Sequence, residues 1–139
     1  MDLIQYSFNV EKDDFDRAGE ASSNIKKILR QLGIDGAIIR RIAIATYEAE
    51  INIVIHSLGG KIDLEVDPKS IKVIAEDRGP GIANIELAMQ EGYSTASDKV
   101  REMGFGAGMG LPNMKKCSDK FEVESVFGKG TTIKMVMYI

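Results

Sequence analysis

The sequence predicts an α/β (α+β) two-layer sandwich, with a mixed, mostly antiparallel sheet and helices on one face. Two pairs of runs alternate apolar and polar residues, as half-buried strands do. Two helical stretches lie between the first strand and the first of those pairs, and no parallel crossover unit is indicated.

Leu3 to Val10 alternates and reads as the first strand. The acidic stretch Glu11-Lys12-Asp13-Asp14 then leads into a helix running to about Leu32, which Gly33 ends. From Asp35 to about Ser57 the residues Ile38, Ile39, Ile42, Ala45, Ala49 and Ile53 recur at helical spacing, and Gly59-Gly60 closes this long helix. Lys61 to Val66 and Ile71 to Glu76 form a hairpin around Asp67-Pro68-Lys69-Ser70. Gly79 to Gly110 holds seven of the 14 glycines in a long aperiodic loop, with a short helix expected over Asn84 to Glu91. Ordering such a loop costs entropy that a small domain offsets only where the loop has a task. Leu111 to Cys117 begins another helix, and the strands Lys120 to Val126 and Thr131 to Ile139 follow, joined by Gly128-Lys129-Gly130.

At 139 residues the chain makes one compact domain, residues 1–139. Its 18 basic and 21 acidic residues leave a net charge of −3, without the basic excess that nonspecific nucleic-acid binding needs. One cysteine, Cys117, and one histidine, His56, exclude an internal disulfide and a Cys/His zinc cluster. No basic segment followed by an apolar run opens the sequence, and no run of about 18 apolar residues crosses a membrane, so a cytoplasmic location is expected.

Three groups of residues have the composition of a binding site. Glu48 and Asn52 lie one helical turn apart, about 40° around the axis, so a carboxylate and an amide can address one ligand such as a hard Mg²⁺ ion. A solvated helix face explains the same pair. Asp77-Arg78-Gly79-Pro80-Gly81 follows a strand. Its glycines permit close approach of a flat ligand, and its aspartate can accept from an exocyclic amine such as adenine N6; an ordinary turn uses the same residues. Gly104, Gly106, Gly108 and Gly110 lead into the helix at Leu111, so bare N–H groups and a helix N-terminus form an anion site suited to polyphosphate, or else a hinge. The spacing matches neither a P-loop nor a Rossmann turn.

In this order the motifs resemble the GHKL superfamily, the ATPases and kinases of the Bergerat fold, over nearly the whole chain. Glu48-Ala49-Glu50-Ile51-Asn52 looks like the N box, Asp77 to Gly81 the first glycine box, Gly104 to Gly110 the second, and Gly130-Thr131-Thr132 the last-strand threonine motif. Asn52-Ile53-Val54-Ile55-His56, Gly110 to Lys116 and Phe121 to Ser125 are similar to one branch, the bacterial anti-sigma-factor and switch-kinase type of serine/threonine protein kinase.

The resemblance implies ATP and Mg²⁺ as cofactors, Glu48 as catalytic base and Asn52 as the Mg²⁺ ligand. Asp77 would read adenine N6, Gly79 and Gly81 would admit the base, and Thr131 would support its edge, with Thr132 as substitute. Gly104, Gly106, Gly108, Gly110 and the Leu111 N–H would face the phosphates. A lid over about residues 92–108 would bring Lys99 and Arg101 to them. Arg40-Arg41 and Lys115-Lys116 read as solvated helix faces, Met103, Met109 and Met114 as packing residues, and Cys117 as a buried small apolar residue. His56 is read as near the phosphates or as a structural residue at a helix end, not as the base. The implied partner is a STAS-domain anti-anti-sigma-type protein, a sigma factor or both, and a homodimer is left open. Two functions follow: phosphorylation of the STAS partner, or ATP-dependent sequestration of a sigma factor.

Overall fold

The computed structural model describes residues 3–79, 89, 110–126 and 128–139. Its elements run β1 (Ile4–Val10), α1 (Glu20–Gln31), α2 (Gly36–His56), β2 (Gly60–Val66), β3 (Ser70–Asp77), α3 (Gly110–Cys117), β4 (Lys120–Val126) and β5 (Gly130–Tyr138). The five strands form one sheet in the order β1-β2-β3-β5-β4. Every pairing among them is antiparallel, so the expected mixed character gives way to a wholly antiparallel sheet.

Register explains how the sheet meets the helices. Phe8, Ile62, Ala75, Ile133 and Val123 are successive cross-strand partners, forming one apolar row across all five strands. The adjacent row, Ser7, Asp63, Ile74, Lys134 and Glu122, occupies the other face and is mostly polar. The apolar face joins Ile25 and Leu29 of α1, Ile39, Ile42, Ala45, Ala49 and Ile53 of α2, and Leu111 and Met114 of α3 in one core. That burial is the main driving force for the layered arrangement.

Local chemistry fixes the helix ends. The Asp35 carboxylate accepts from Ala37 N–H over 3.1 Å and starts α2. The Ser57 hydroxyl donates to Ile53 O at 2.6 Å and accepts from Gly59 N–H at 3.0 Å, which stops the helix and turns the chain into β2. Helix α1 begins at Glu20, later than the acidic stretch suggested. Asp13 at φ 58 and Gly19 at φ 97 hold the preceding residues in turns, and Gly19 offers no side-chain cap. The missing cap comes from α2, where the buried Glu50 carboxylate accepts from Ala21 N–H at 3.1 Å and Ser22 N–H at 3.2 Å.

Arg41 departs from the expected solvated role. It reaches Asp119 at 3.2 Å, and the same Asp119 oxygen accepts from Tyr138 N–H at 2.8 Å, tying α2 to the end of the sheet. No helix of the described residues is long and apolar enough to cross a membrane.

Candidate functional site

Helix α2 carries its buried apolar residues toward the sheet and leaves the Glu48–Asn52 stripe partly exposed beside them. The start of α3 packs on that stripe. A Cβ at Gly110 would stand 3.3 Å from Asn52 Oδ1 and 3.4 Å from both Asn52 Nδ2 and Glu48 Oε2. The bare glycine therefore leaves room where a carboxylate, an amide and a helix N-terminus converge. Burial pushes the Glu48 carboxyl above its ordinary value, and the Asn113 amide opposes that rise by favouring the charged form. Glu48 also borders an open groove of about 410 Å³ between α1 and α2, together with Ser22, Lys26, Ile44 and Tyr47.

At the end of β3 a second cluster forms. Asp77 Oδ1 accepts from the Thr131 N–H at 3.1 Å, and the Thr131 hydroxyl lies 3.0 Å from the Ser125 hydroxyl. Burial raises the Asp77 carboxyl and the Thr131 N–H lowers it. Gly130 brings the strands this close: it adopts φ +148, and a Cβ there would overlap the Asp77 carbonyl oxygen. Gly79 rests on Ser57 at the C-terminus of α2, where a Cβ would stand 3.1 Å from Ser57 Cα. From Glu48 to Ser57 the helix rises about 13 Å at 1.5 Å per residue, a span on the scale of a nucleoside triphosphate.

The sequence-derived set thus divides into three. Glu48, Asn52 and Gly110 meet along the C-terminal half of α2, with Leu111 beside Gly110 in the chain. The Leu111 side chain is in the core, so only its backbone is available to a ligand. Asp77 and Thr131 meet at the end of β3, with Gly79 packed on the end of α2. Gly81, Lys99, Arg101, Gly104, Gly106 and Gly108 lie outside the described residues, as do Met103, Met109 and, apart from Met89, the expected short helix over 84–91. His56 occupies the last turn of α2, where burial lowers its imidazole pKa. Burial raises the Cys117 thiol. Lys115 and Lys116 are exposed.

Sequence reasoning gave no role to Glu50, Asn113 or Ser125. Only Asn113 carried a local signal, its three-residue spacing from Gly110 along one helix face.

Among the described residues no group of three or more His, Cys, Asp or Glu could hold a metal. The Asn52 amide oxygen beside the Gly110 gap nevertheless fits Mg²⁺, which typically takes one or two protein oxygens and completes its shell with phosphate and water.

Comparison with known proteins identifies the family. Residues 12–137 match the family model described as a histidine kinase-like ATPase domain. The chain is 34% identical over 118 residues to the serine/threonine-protein kinase RsbT of Bacillus subtilis (strain 168), covering 82% of this chain and 83% of that protein. It is 37% identical over 106 residues to the anti-sigma F factor of Thermoanaerobacter sp. (strain X514), and 39% identical over 108 residues to that of Caldanaerobacter subterraneus subsp. tengcongensis; in both cases 73% of this chain and 71% of the relative are covered. The chain belongs to the histidine kinase-like ATPase domain family, on its serine/threonine kinase and anti-sigma factor branch.

Proposed function

We propose that the chain is an ATP-dependent serine/threonine kinase of a bacterial partner-switching module, acting on a hydroxyl of a STAS-domain antagonist protein. One observation carries this reading: Glu48 and Asn52 converge on the Cβ-less start of α3. Phosphoryl transfer asks mainly for positioning and charge neutralisation, and this corner can supply both.

In this reading Asp77 accepts from adenine N6 while Thr131 supports the adenine edge. The N–H groups at the start of α3 face the phosphates. Asn52 would hold Mg²⁺, whose chemistry is to neutralise phosphate charge. Glu48 accepts the proton of the acceptor hydroxyl as that oxygen bonds the γ-phosphorus and the bond to ADP breaks. Its burial-raised basicity suits this role.

The experiment mixes the purified chain with γ-labelled ATP, Mg²⁺ and each STAS-domain protein of the same organism. Label is expected on a serine or threonine of the partner, with Glu48→Ala reducing transfer by about 10²- to 10⁴-fold. Unchanged transfer by Glu48→Ala, together with normal Mg-ATP binding by Asn52→Ala, would falsify the mechanism.

The anti-sigma F relatives favour a second reading, ATP-dependent capture of a sigma factor. Stoichiometric binding of a sigma factor in the presence of ATP, without phosphate turnover, distinguishes it.

A further inference from the structure

Strand alternation and register put three polar side chains next to one another on the face of the sheet that carries the core. Ser125 of β4 is the register partner of Thr131 of β5, and Thr131 meets Asp77 at the end of β3. Thr132 falls on the opposite face, across from Glu76 and Glu124, so it cannot stand in for Thr131. Thr131 is buried, and its hydroxyl is oriented by the protein rather than by bulk water. That hydroxyl lies 3.0 Å from Ser125 Oγ, and among the described residues no bond links it to the Asp77 carboxylate, whose Oδ1 accepts from the Thr131 backbone N–H at 3.1 Å.

A hydroxyl beside a carboxylate ordinarily donates to it, because a charged acceptor holds a proton more strongly than a neutral one. Ser125 provides the reason it does not do so here. Its hydroxyl donates to the Gly130 carbonyl oxygen at 3.3 Å, and a carbonyl has no proton to give back. With its one proton placed there, Ser125 Oγ meets Thr131 as an acceptor and turns the Thr131 proton toward β4. Thr131 Oγ1 and Asp77 Oδ2 then remain as acceptors at the end of β3.

We propose that Ser125 is a positioning residue that sets purine selectivity: by taking the Thr131 hydroxyl proton, it leaves Thr131 Oγ1 and the second Asp77 oxygen as paired acceptors for an exocyclic amine. The inference rests on the reading that Asp77 and Thr131 hold the adenine. Adenine carries an NH₂ group at that position, whereas guanine carries an acceptor oxygen, which two further acceptors repel. Without Ser125 the Thr131 proton turns to Asp77, occupying the oxygen that adenine needs, or donates to the guanine oxygen.

The test measures the affinity of the full chain for ATP, GTP and purine riboside triphosphate, which lacks the amine, each with Mg²⁺, by titration calorimetry. Wild type should bind ATP about tenfold or more tighter than either analogue. Ser125→Ala should weaken ATP about three- to tenfold, the worth of one hydrogen bond, and leave purine riboside triphosphate within about twofold. GTP should bind this variant as well as or better than wild type. Ser125→Thr keeps a hydroxyl on the strand and should restore the preference for ATP. In a Thr131→Val background, Ser125→Ala should cost little more, because the two hydroxyls act as a unit.

Each failure has its own signature. Equal wild-type affinity for ATP and purine riboside triphosphate removes the adenine reading and the proposal with it. A wild-type preference for ATP that survives Ser125→Ala unchanged overturns the role of Ser125 alone. So does a loss that falls equally on ATP and purine riboside triphosphate, which marks a purely structural role, or one that persists undiminished in the Thr131→Val background. If Ser125→Ala does not fold, Ser125→Cys, whose thiol is a weak donor and acceptor, takes its place, and an ATP preference equal to wild type in that variant refutes the proposal.

Discussion

The Thr131 backbone N–H donates to Asp77 Oδ1 across 3.1 Å, joining residues 54 positions apart at the ends of neighbouring strands. One carboxylate oxygen is thereby committed to the sheet, and the other is the one that accepts from adenine in the proposed reading.

From this division, Asp77→Asn should separate fold from binding. The asparagine oxygen can still accept from Thr131, so the melting temperature should change little. Its NH₂ group would meet the adenine amine donor to donor, and ATP affinity should fall about tenfold to a hundredfold, as titration calorimetry would measure. Wild-type ATP affinity in this variant would contradict the assignment of Asp77 to adenine.

Glu50 is the residue whose truncation should cost the fold most directly. Glu50→Ala strands the N–H groups of Ala21 and Ser22 at a buried helix start, and a loss of about 2–3 kcal/mol is expected in urea denaturation. Burial is the largest influence on the Glu50 carboxyl and raises it above 4.5, while the N–H donors partly oppose the rise. The folded chain therefore binds more protons than the unfolded chain above that value, and the stability this carboxyl contributes is lost as pH rises through the window. The advantage of wild type over Glu50→Gln should shrink as pH rises from 4.5 toward neutrality; an advantage that grows would reverse the sign.

Gly130→Ala is expected to damage both fold and site. At φ +148 the new methyl meets the Asp77 carbonyl, so the β3–β5 contact must open. A loss of about 3 kcal/mol or more, with weaker ATP binding in the fraction that folds, would appear in denaturation and calorimetry run together.

Thr46 points the other way. Its hydroxyl is fully buried without a hydrogen-bond partner among the described residues, in the middle of α2. Thr46→Val replaces that hydroxyl with a methyl of similar volume and should stabilise the chain by about 1 kcal/mol. A destabilised variant in chemical denaturation would mean that the hydroxyl has a partner after all.

Local periodicity made much of the fold readable in advance. The apolar spacing of Ile39, Ile42, Ala45, Ala49 and Ile53 marked α2, and alternation from Lys61 and from Ile71 marked the hairpin, each within a residue or so of its observed ends. The start of α1 was missed because its cap is Glu50, 29 residues away, which leaves no signature beside Gly19. Arg41 looks solvated in the sequence for a similar reason, since Asp119 lies 78 positions along the chain.

The sequence by itself determined the strands, the helices, the one-turn spacing of Glu48 and Asn52, and the glycine placed just before Leu111. Short-range sterics and amphipathic periodicity write these into consecutive residues. Only the tertiary structure decided that β5 lies between β3 and β4, that Thr131 meets Asp77, and that Gly110 closes on Asn52 and Glu48. Those contacts arise because burying one apolar face of the sheet under the described helices brings distant segments together, and no local pattern records which distant partner each will meet.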